Sequence, residues 1–351
     1  MTFTAKPAVH HPKLPRNELG LTHRQYEGAV STLCAGCGHD SVSAAIMQAC
    51  YDLSLPAHRV AKLSGIGCSS KTPTYFLSQS HGFNSVHGRM PSVATGANLA
   101  NRDLYYIGVS GDGDSASIGL GQFAHIVRRR INMLYIVDNN GTYGLTKGQF
   151  SATSDKGSTN KRGVPNLYEP IDLVTMALQI GATFVARSFS GDKQQLVPLI
   201  KAGLLHEGFA FIDVISPCVA FNNHEGSTKS YDYVRHHNDP VVAVDFVPSH
   251  EEIVADYAPG ERQDVSMPDG TILRLRKLEE DYDPNDRLSA LTYVQEHQAR
   301  GEVVTGLLFL DGEPEDTHSI LSTVDTPLNQ LEEADLCPGN DVLQKVNESF
   351  R

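Results

Sequence analysis

Tryptophan is absent from this chain of 351 residues, and cysteine occurs only six times. The missing tryptophan excludes nothing by itself. Six cysteines in a chain this long are too few for a disulfide-stapled scaffold, which leaves metal binding or catalysis as their reading. An excess of basic charge is also missing. The formal charge is −12, which argues against a general nucleic-acid binder, whose affinity depends on a basic surface. No uninterrupted apolar run reaches the length needed to cross a bilayer, so no membrane role is expected. The polar stretch Met1 to Arg16 lacks the apolar centre of a secretory signal. The expected location is therefore the cytoplasm.

What is present is an alternation of helical and strand patterns. Apolar positions recur at helical spacing from His39 to Leu53, and Arg59 to Leu63 reads as a strand running into Gly65-Ile66-Gly67-Cys68. A small-residue helix from Pro91 to Asn101 precedes a buried strand, Leu104 to Val109, which ends at Gly111-Asp112-Gly113. Helices over Ser115–Arg129, Ile171–Ile180 and Lys193–His206 alternate with strands over Ile131–Val137, Thr183–Ala186 and Phe209–Ile215. The pattern predicts an α/β fold with a mostly parallel sheet and helices on both faces. The expected division is an N-terminal extension over 1–25, a main domain over 26–240, and a C-terminal extension and tail over 241–351. Within the last part, a helix near Leu288–Arg300 and a strand at Val303–Leu310 stand out.

Ligands of such sheets lie beyond the carboxyl ends of the strands, where the Gly-rich and Asn-rich turns fall here. Gly111-Asp112-Gly113-Asp114-Ser115 follows one strand, and Asp138-Asn139-Asn140 follows the next after the interval of one helix and one strand. A hard cation such as magnesium takes oxygen ligands and usually shares them with a phosphate. Asp112, Asn140 and the Thr142 carbonyl could supply them, while the glycines let the backbone approach phosphates and a helix start offers free N–H groups. Either half alone reads as a tight turn. Together they resemble the thiamine diphosphate motif, in which the carboxylate and the amide bind magnesium.

Cys34-Ala35-Gly36-Cys37 has a spacing that lets two sulfurs converge on one centre, and Cys68 and Cys218 lie in turns at strand ends of the same edge. On spacing alone a zinc site and an iron-sulfur cluster stand level, with a redox pair as a further reading. The neighbouring thiamine site favours the cluster, because thiamine chemistry yields electrons and zinc cannot take them. Cys50 reads as core, and Cys337 in the tail stays ambiguous.

With Gly38-His39, Ser69, His87-Gly88-Arg89, Tyr143-Gly144-Leu145-Thr146-Lys147-Gly148-Gln149 and Pro217-Cys218 added, the sequence strongly resembles the β subunits of the 2-oxoacid:ferredoxin oxidoreductases over its first two thirds. The resemblance implies the thiamine diphosphate-binding fold. It implies one 4Fe-4S cluster on Cys34, Cys37, Cys68 and Cys218, and no second cluster, since no ferredoxin-like CxxCxxC run occurs. It implies cofactor contacts from Cys37, Gly38, His39, Gly67, Ser69, Gly111, Asp112, Gly113, Asp114, Asn140, Tyr143, Gly144, Leu145 and Thr146. His87 and Arg89 are candidates for the 2-oxoacid, and Lys71 and Lys147 for a second carboxylate or a coenzyme A phosphate, which favours 2-oxoglutarate over pyruvate. The implied reaction is oxidative decarboxylation to an acyl-coenzyme A, with electrons passing to ferredoxin. Because only one thiamine-binding unit is visible, an α subunit carrying the pyrimidine-binding domain is expected, in an (αβ)2 assembly.

Overall fold

The computed structural model describes residues 12–160, 163–219, 253–266, 272–337 and 339–351. The expected domain boundary at residue 240 lies outside them, as do the first eleven residues of the expected N-terminal extension.

The backbone is organised by one nine-stranded sheet of order β2-β1-β3-β4-β8-β7-β11-β10-β9. Its strands are β1 (Val60–Ser64), β2 (His81–Asn84), β3 (Tyr105–Gly111), β4 (Met133–Asn139), β7 (Phe184–Phe189), β8 (Phe209–Ile215), β9 (Arg262–Ser266), β10 (Ile272–Lys277) and β11 (Val303–Leu310), while β5 (Thr142–Tyr143) and β6 (Gln149–Phe150) form a separate hairpin. From β2 to β7 all pairings are parallel. β11 then runs antiparallel to β7, β10 parallel to β11, and β9 antiparallel to β10.

The central strand β4 explains the layering. Met133, Tyr135 and Val137 enter one apolar cluster, while Leu134 and Ile136 enter the other, as a period of two demands of a strand buried on both faces. Each such side chain contributes roughly 1.5–3 kcal/mol relative to exposure. Helices α1 (Gly38–Asp52) and α5 (Lys193–Leu205) cover the second face. Helices α2 (Met90–Ala100), α3 (Leu120–Arg129), α4 (Leu173–Ile180) and α6 (Arg287–Ala299) cover the first. Asp172 caps α4 by accepting from the Thr175 N–H, and Gly181, at φ +95°, closes it in the left-handed conformation that glycine tolerates.

Two expectations need correction. The helix expected over Ser115–Arg129 is divided into a π-helical turn, Gly113–Ile118, and α3. The break falls at Gly119, where a Cβ would stand 2.9 Å from the Gly88 Cα, so the close crossing of two backbones sets the division. The stretch from Arg262 to Leu310, expected as an extension, completes the main sheet instead. Its charge alternates with buried residues: in β10, Leu275 is buried between Arg274 and Arg276, and this alternation mimics a polar loop. Beyond Leu310 the described tail holds three α-helices and one 3-10 turn, and the last helix, Asn340–Ser349, buries none of its residues.

Candidate functional site

β3 and β4 are neighbours, so their carboxyl ends deliver Asp112 and Asn140 side by side. The Asn140 N–H donates to Asp112 Oδ1 at 3.3 Å, and Asn140 Oδ1 accepts from the Thr142 N–H at 3.0 Å. Asp112 is 1% exposed, and burial raises its carboxyl above the ordinary range against the pull of its hydrogen bonds. Two of those bonds come from residues that sequence reasoning missed. Ser151 and Thr153 both donate to Asp112 Oδ2, Thr153 at 2.6 Å. They lie beyond the β5–β6 hairpin, and nothing in their local pattern distinguishes them from an ordinary polar loop.

The glycines of the motif shape a cradle. A Cβ on Gly113 would meet the Tyr143 ring at 2.6 Å, and one on Gly111 would meet Ser69 Oγ at 2.9 Å. Tyr143 donates its hydroxyl to the Gly113 carbonyl at 2.9 Å, tying the hairpin over the π-helical turn. Asp112 is the N-cap of that turn, so its first N–H groups, from Gly113 on, face the same edge as the carboxylate. The residues present therefore fit a magnesium-bound diphosphate: two oxygen-bearing side chains, the Thr142 carbonyl, and backbone approachable only because side chains are missing.

Asp114 has a different place. Its oxygens accept from the Gly88 N–H at 2.8 Å and from Ser110 Oγ at 2.9 Å, and it also bonds the Ile66 N–H. It knits three turns together. His39 lies under Asn140, with Nδ1 2.6 Å from Ser216 Oγ and Nε2 3.5 Å from Asn140 Nδ2. Burial pulls its pKa down to about 4, so the ring is neutral near pH 7. Asp138 stands 3.7 Å from His39 with no hydrogen bond to either buried oxygen; burial and the nearby Asp112 push its carboxyl well above the usual range.

Two of the four candidate cysteines, Cys68 and Cys218, flank the hairpin. A Cβ on Gly144 would lie 3.4 Å from Cys218 Sγ and 3.7 Å from Cys68 Sγ. Cys37 interacts electrostatically with Cys218, and Cys68 with Cys34. Among the described residues, no three His, Cys, Asp or Glu side chains close on one ion-sized point. Cys50 is fully buried in the core, and Cys337 is exposed in the tail.

The other candidates lie outward. His87, Arg89, Lys147, Leu145 and Thr146 are exposed, and Lys71 and Gly67 are partly so. Lys147 holds φ +81°, a left-handed conformation that costs a non-glycine residue roughly 1–2 kcal/mol.

Residues 65–214 match the C-terminal TPP-binding domain of the thiamine pyrophosphate enzymes. A 2-oxoacid:ferredoxin oxidoreductase β subunit of Saccharolobus solfataricus is 39% identical over 222 residues, covering 63% of this chain and 70% of that one. The chain belongs to the 2-oxoacid:ferredoxin oxidoreductase β-subunit family. Subunit KorB of the 2-oxoglutarate oxidoreductase of Mycobacterium tuberculosis is 38% identical over 217 residues, 60% of this chain and 57% of its own length. The match to a Sulfolobus β subunit likewise spans 63% of that protein, under two thirds, and 54% of this chain. Among solved structures, a 2-oxoglutarate:ferredoxin oxidoreductase from Magnetococcus marinus, with 2-oxoglutarate, coenzyme A and succinyl-CoA bound, superposes with a TM-score of 0.67 at 29% identity, covering 89% of this chain and 90% of that one. Mostly parallel sheet, helical layers and thiamine-binding domain agree with the fold class read from the sequence. No described helix is long and apolar enough to cross a membrane.

Proposed function

We propose that this β subunit, joined to an α subunit carrying the pyrimidine-binding domain, oxidatively decarboxylates 2-oxoglutarate to an acyl-coenzyme A and carbon dioxide, passing electrons to ferredoxin. The observation that carries the reading is the meeting, at one sheet edge, of the Asp112–Asn140 pair with the Cys68 and Cys218 thiols across the β5–β6 hairpin. The relatives named for 2-oxoglutarate support the substrate.

Asp112, Asn140 and the Thr142 carbonyl would hold magnesium, with the N–H groups at the start of the π-helical turn receiving diphosphate charge. When bound, thiamine diphosphate supplies the electron sink for loss of carbon dioxide from a 2-oxoacid. Ser151 and Thr153 fix the Asp112 carboxylate so that it need not reorganise as the cation arrives. Neutral His39 holds the Asn140 amide without adding charge beside the cation. Cys34, Cys37, Cys68 and Cys218 would carry one 4Fe-4S cluster, the one-electron acceptor the chemistry needs. Arg89 and His87 would face the 2-oxoacid, and Lys71 and Lys147 its distal carboxylate or the coenzyme A phosphates. The strained backbone at Lys147 supports a role for that side chain, since a merely solvated loop position would be relieved by glycine.

The test is a panel of 2-oxoacids offered to the co-expressed α and β chains, read by coenzyme A-dependent reduction of an electron acceptor, with iron and acid-labile sulfide measured on the same sample. Preference for 2-oxoglutarate with four irons per β chain supports the reading. Preference for pyruvate overturns the substrate, and zinc in place of iron overturns the cluster.

A further inference from the structure

Arg187 on β7 is 5% exposed and carries two carboxylate partners. Its Nη2 donates to both oxygens of Asp172 at 2.8 Å, and its Nε donates to Asp213 Oδ2 at 2.9 Å. The free oxygen of Asp213, on β8, accepts from Asn139 Nδ2 at 3.1 Å. Asn139 Oδ1 in turn lies 3.0 Å from Thr153 Oγ1, whose proton goes to Asp112 Oδ2 at 2.6 Å with Asn139 as its bifurcated second acceptor. An uninterrupted line of polar contacts thus crosses three adjacent strands, from the guanidinium to the carboxylate of the motif.

We infer that Arg187, through Asp213, Asn139 and Thr153, is a positioning residue for Asp112, a role that rests on Asp112 being a magnesium ligand. The physical case is one of cost and stiffness. A buried triad of one cation and two carboxylates is an expensive way to hold a sheet together, and an apolar set of equal volume often serves stability as well or better. This triad does something an apolar set cannot. With Nη2 engaging both oxygens of Asp172, the guanidinium plane is fixed, and the Asp213 carboxylate is aimed along the sheet at the Asn139 amide. Asn139 is the last residue of β4 and directly precedes Asn140, so the anchor also sets the direction in which the Asn140 backbone leaves the strand toward Asp112. Outer partners that orient a metal ligand typically govern affinity by about 10- to 100-fold.

The test uses the assembled α–β enzyme with thiamine diphosphate saturating and Mn2+ as the metal probe, free ion being read by its paramagnetic resonance signal. Thr153→Val and Asp213→Asn are each expected to weaken Mn2+ binding about 10-fold, with the Thr153→Val unfolding midpoint close to that of the parent. The combined variant is expected to bind no more weakly than the weaker single, because both substitutions cut the same line. Mn2+ affinity within twofold of the parent in both singles, or a combined loss equal to the product of the two, overturns the inference. Asp112→Asn is the control. If it loses Mn2+ while the others keep it, the line fails alone; if it binds Mn2+ normally, the metal reading falls and the inference with it. Should Asp213→Asn not fold, Asn139→Ser takes its place with the same expected outcomes.

Discussion

Replacing Lys62 by methionine tests how the turn carrying Cys68 is held. Lys62 sits in the middle of β1, 6% exposed, between Ala61 and Leu63, which are fully buried. Its Nζ donates to the carbonyls of Pro73 at 2.6 Å, Phe76 at 2.6 Å and Leu77 at 3.0 Å, so three protons meet three acceptors. The Phe76 ring centroid lies 5.2 Å away. Burial pulls the pKa down to about 8, and the group is still an ammonium at neutral pH. These carbonyls close the helical turn Ser69–Thr74 and the reversal at Leu77, where φ is +46°. Methionine keeps the length but takes the ammonium donor from the Pro73 and Phe76 carbonyls, each loss costing about 1–3 kcal/mol, whereas the Leu77 carbonyl keeps the Ser80 N–H and hydroxyl. Part of this is returned because no ammonium has to be desolvated, a penalty of several kcal/mol. The expected net loss is about 2–4 kcal/mol, concentrated locally. Urea unfolding of the purified protein should show it, and hydrogen exchange should lose protection first in residues 69–80. A loss below about 0.5 kcal/mol, with exchange unchanged there, would refute the reasoning, since it lies under the cost of even one unpaired carbonyl.

The histidine under the site makes stability fall in mild acid. The His39 pKa is lowered to about 4 in the folded chain against 6.5 as its ordinary value. As pH drops from about 6.5 to 4, the unfolded chain takes up a proton that the folded chain refuses, costing up to about 3 kcal/mol. His39→Gln should remove that slope in unfolding curves taken across the window, and an unchanged slope would count against a buried neutral ring. Lys147→Gly should relieve about 1 kcal/mol of backbone strain while raising KM for 2-oxoglutarate and not for pyruvate; equal effects on both substrates would remove Lys147 from the distal carboxylate. Gly144→Val would place methyl groups in the space that the Cys68 and Cys218 thiols share. Most iron and sulfide should be lost with Mn2+ and thiamine diphosphate binding retained, and full iron content would move the cluster elsewhere.

The parallel half of the sheet was legible because its strands are buried on both faces and separated by patterned helices, as β3, β4 and β8 illustrate. β2 was not, since His81–Asn84 is exposed throughout and has neither alternation nor an apolar run. Asp112 and Asn140 were legible through their spacing. Their supports came from elsewhere in the chain: Ser151 and Thr153 reach Asp112 across about forty residues, and Arg187 reaches it only through pairings that the sheet order creates. Lys62 was hidden for the opposite reason, because a lysine inside an apolar strand looks like an edge residue until its three carbonyls are seen. Hydrophobic pattern records burial, whereas polar partnership depends on where distant strand ends meet.

The reversed strand β11 has a consequence for handling the protein. Leu310 pairs with Phe184 at the start of β7, so the chain that follows emerges at the pole opposite Asp112, and Asp311 donates its N–H to the Thr183 carbonyl there. Thr317 then bonds the backbone of Arg130, and His318 that of Asn98, so the tail crosses the amino ends of the strands. A fluorescent reporter attached at the exposed Leu321, just past this crossing, would mark the molecule's far pole and leave the carboxyl-end face turned toward solution.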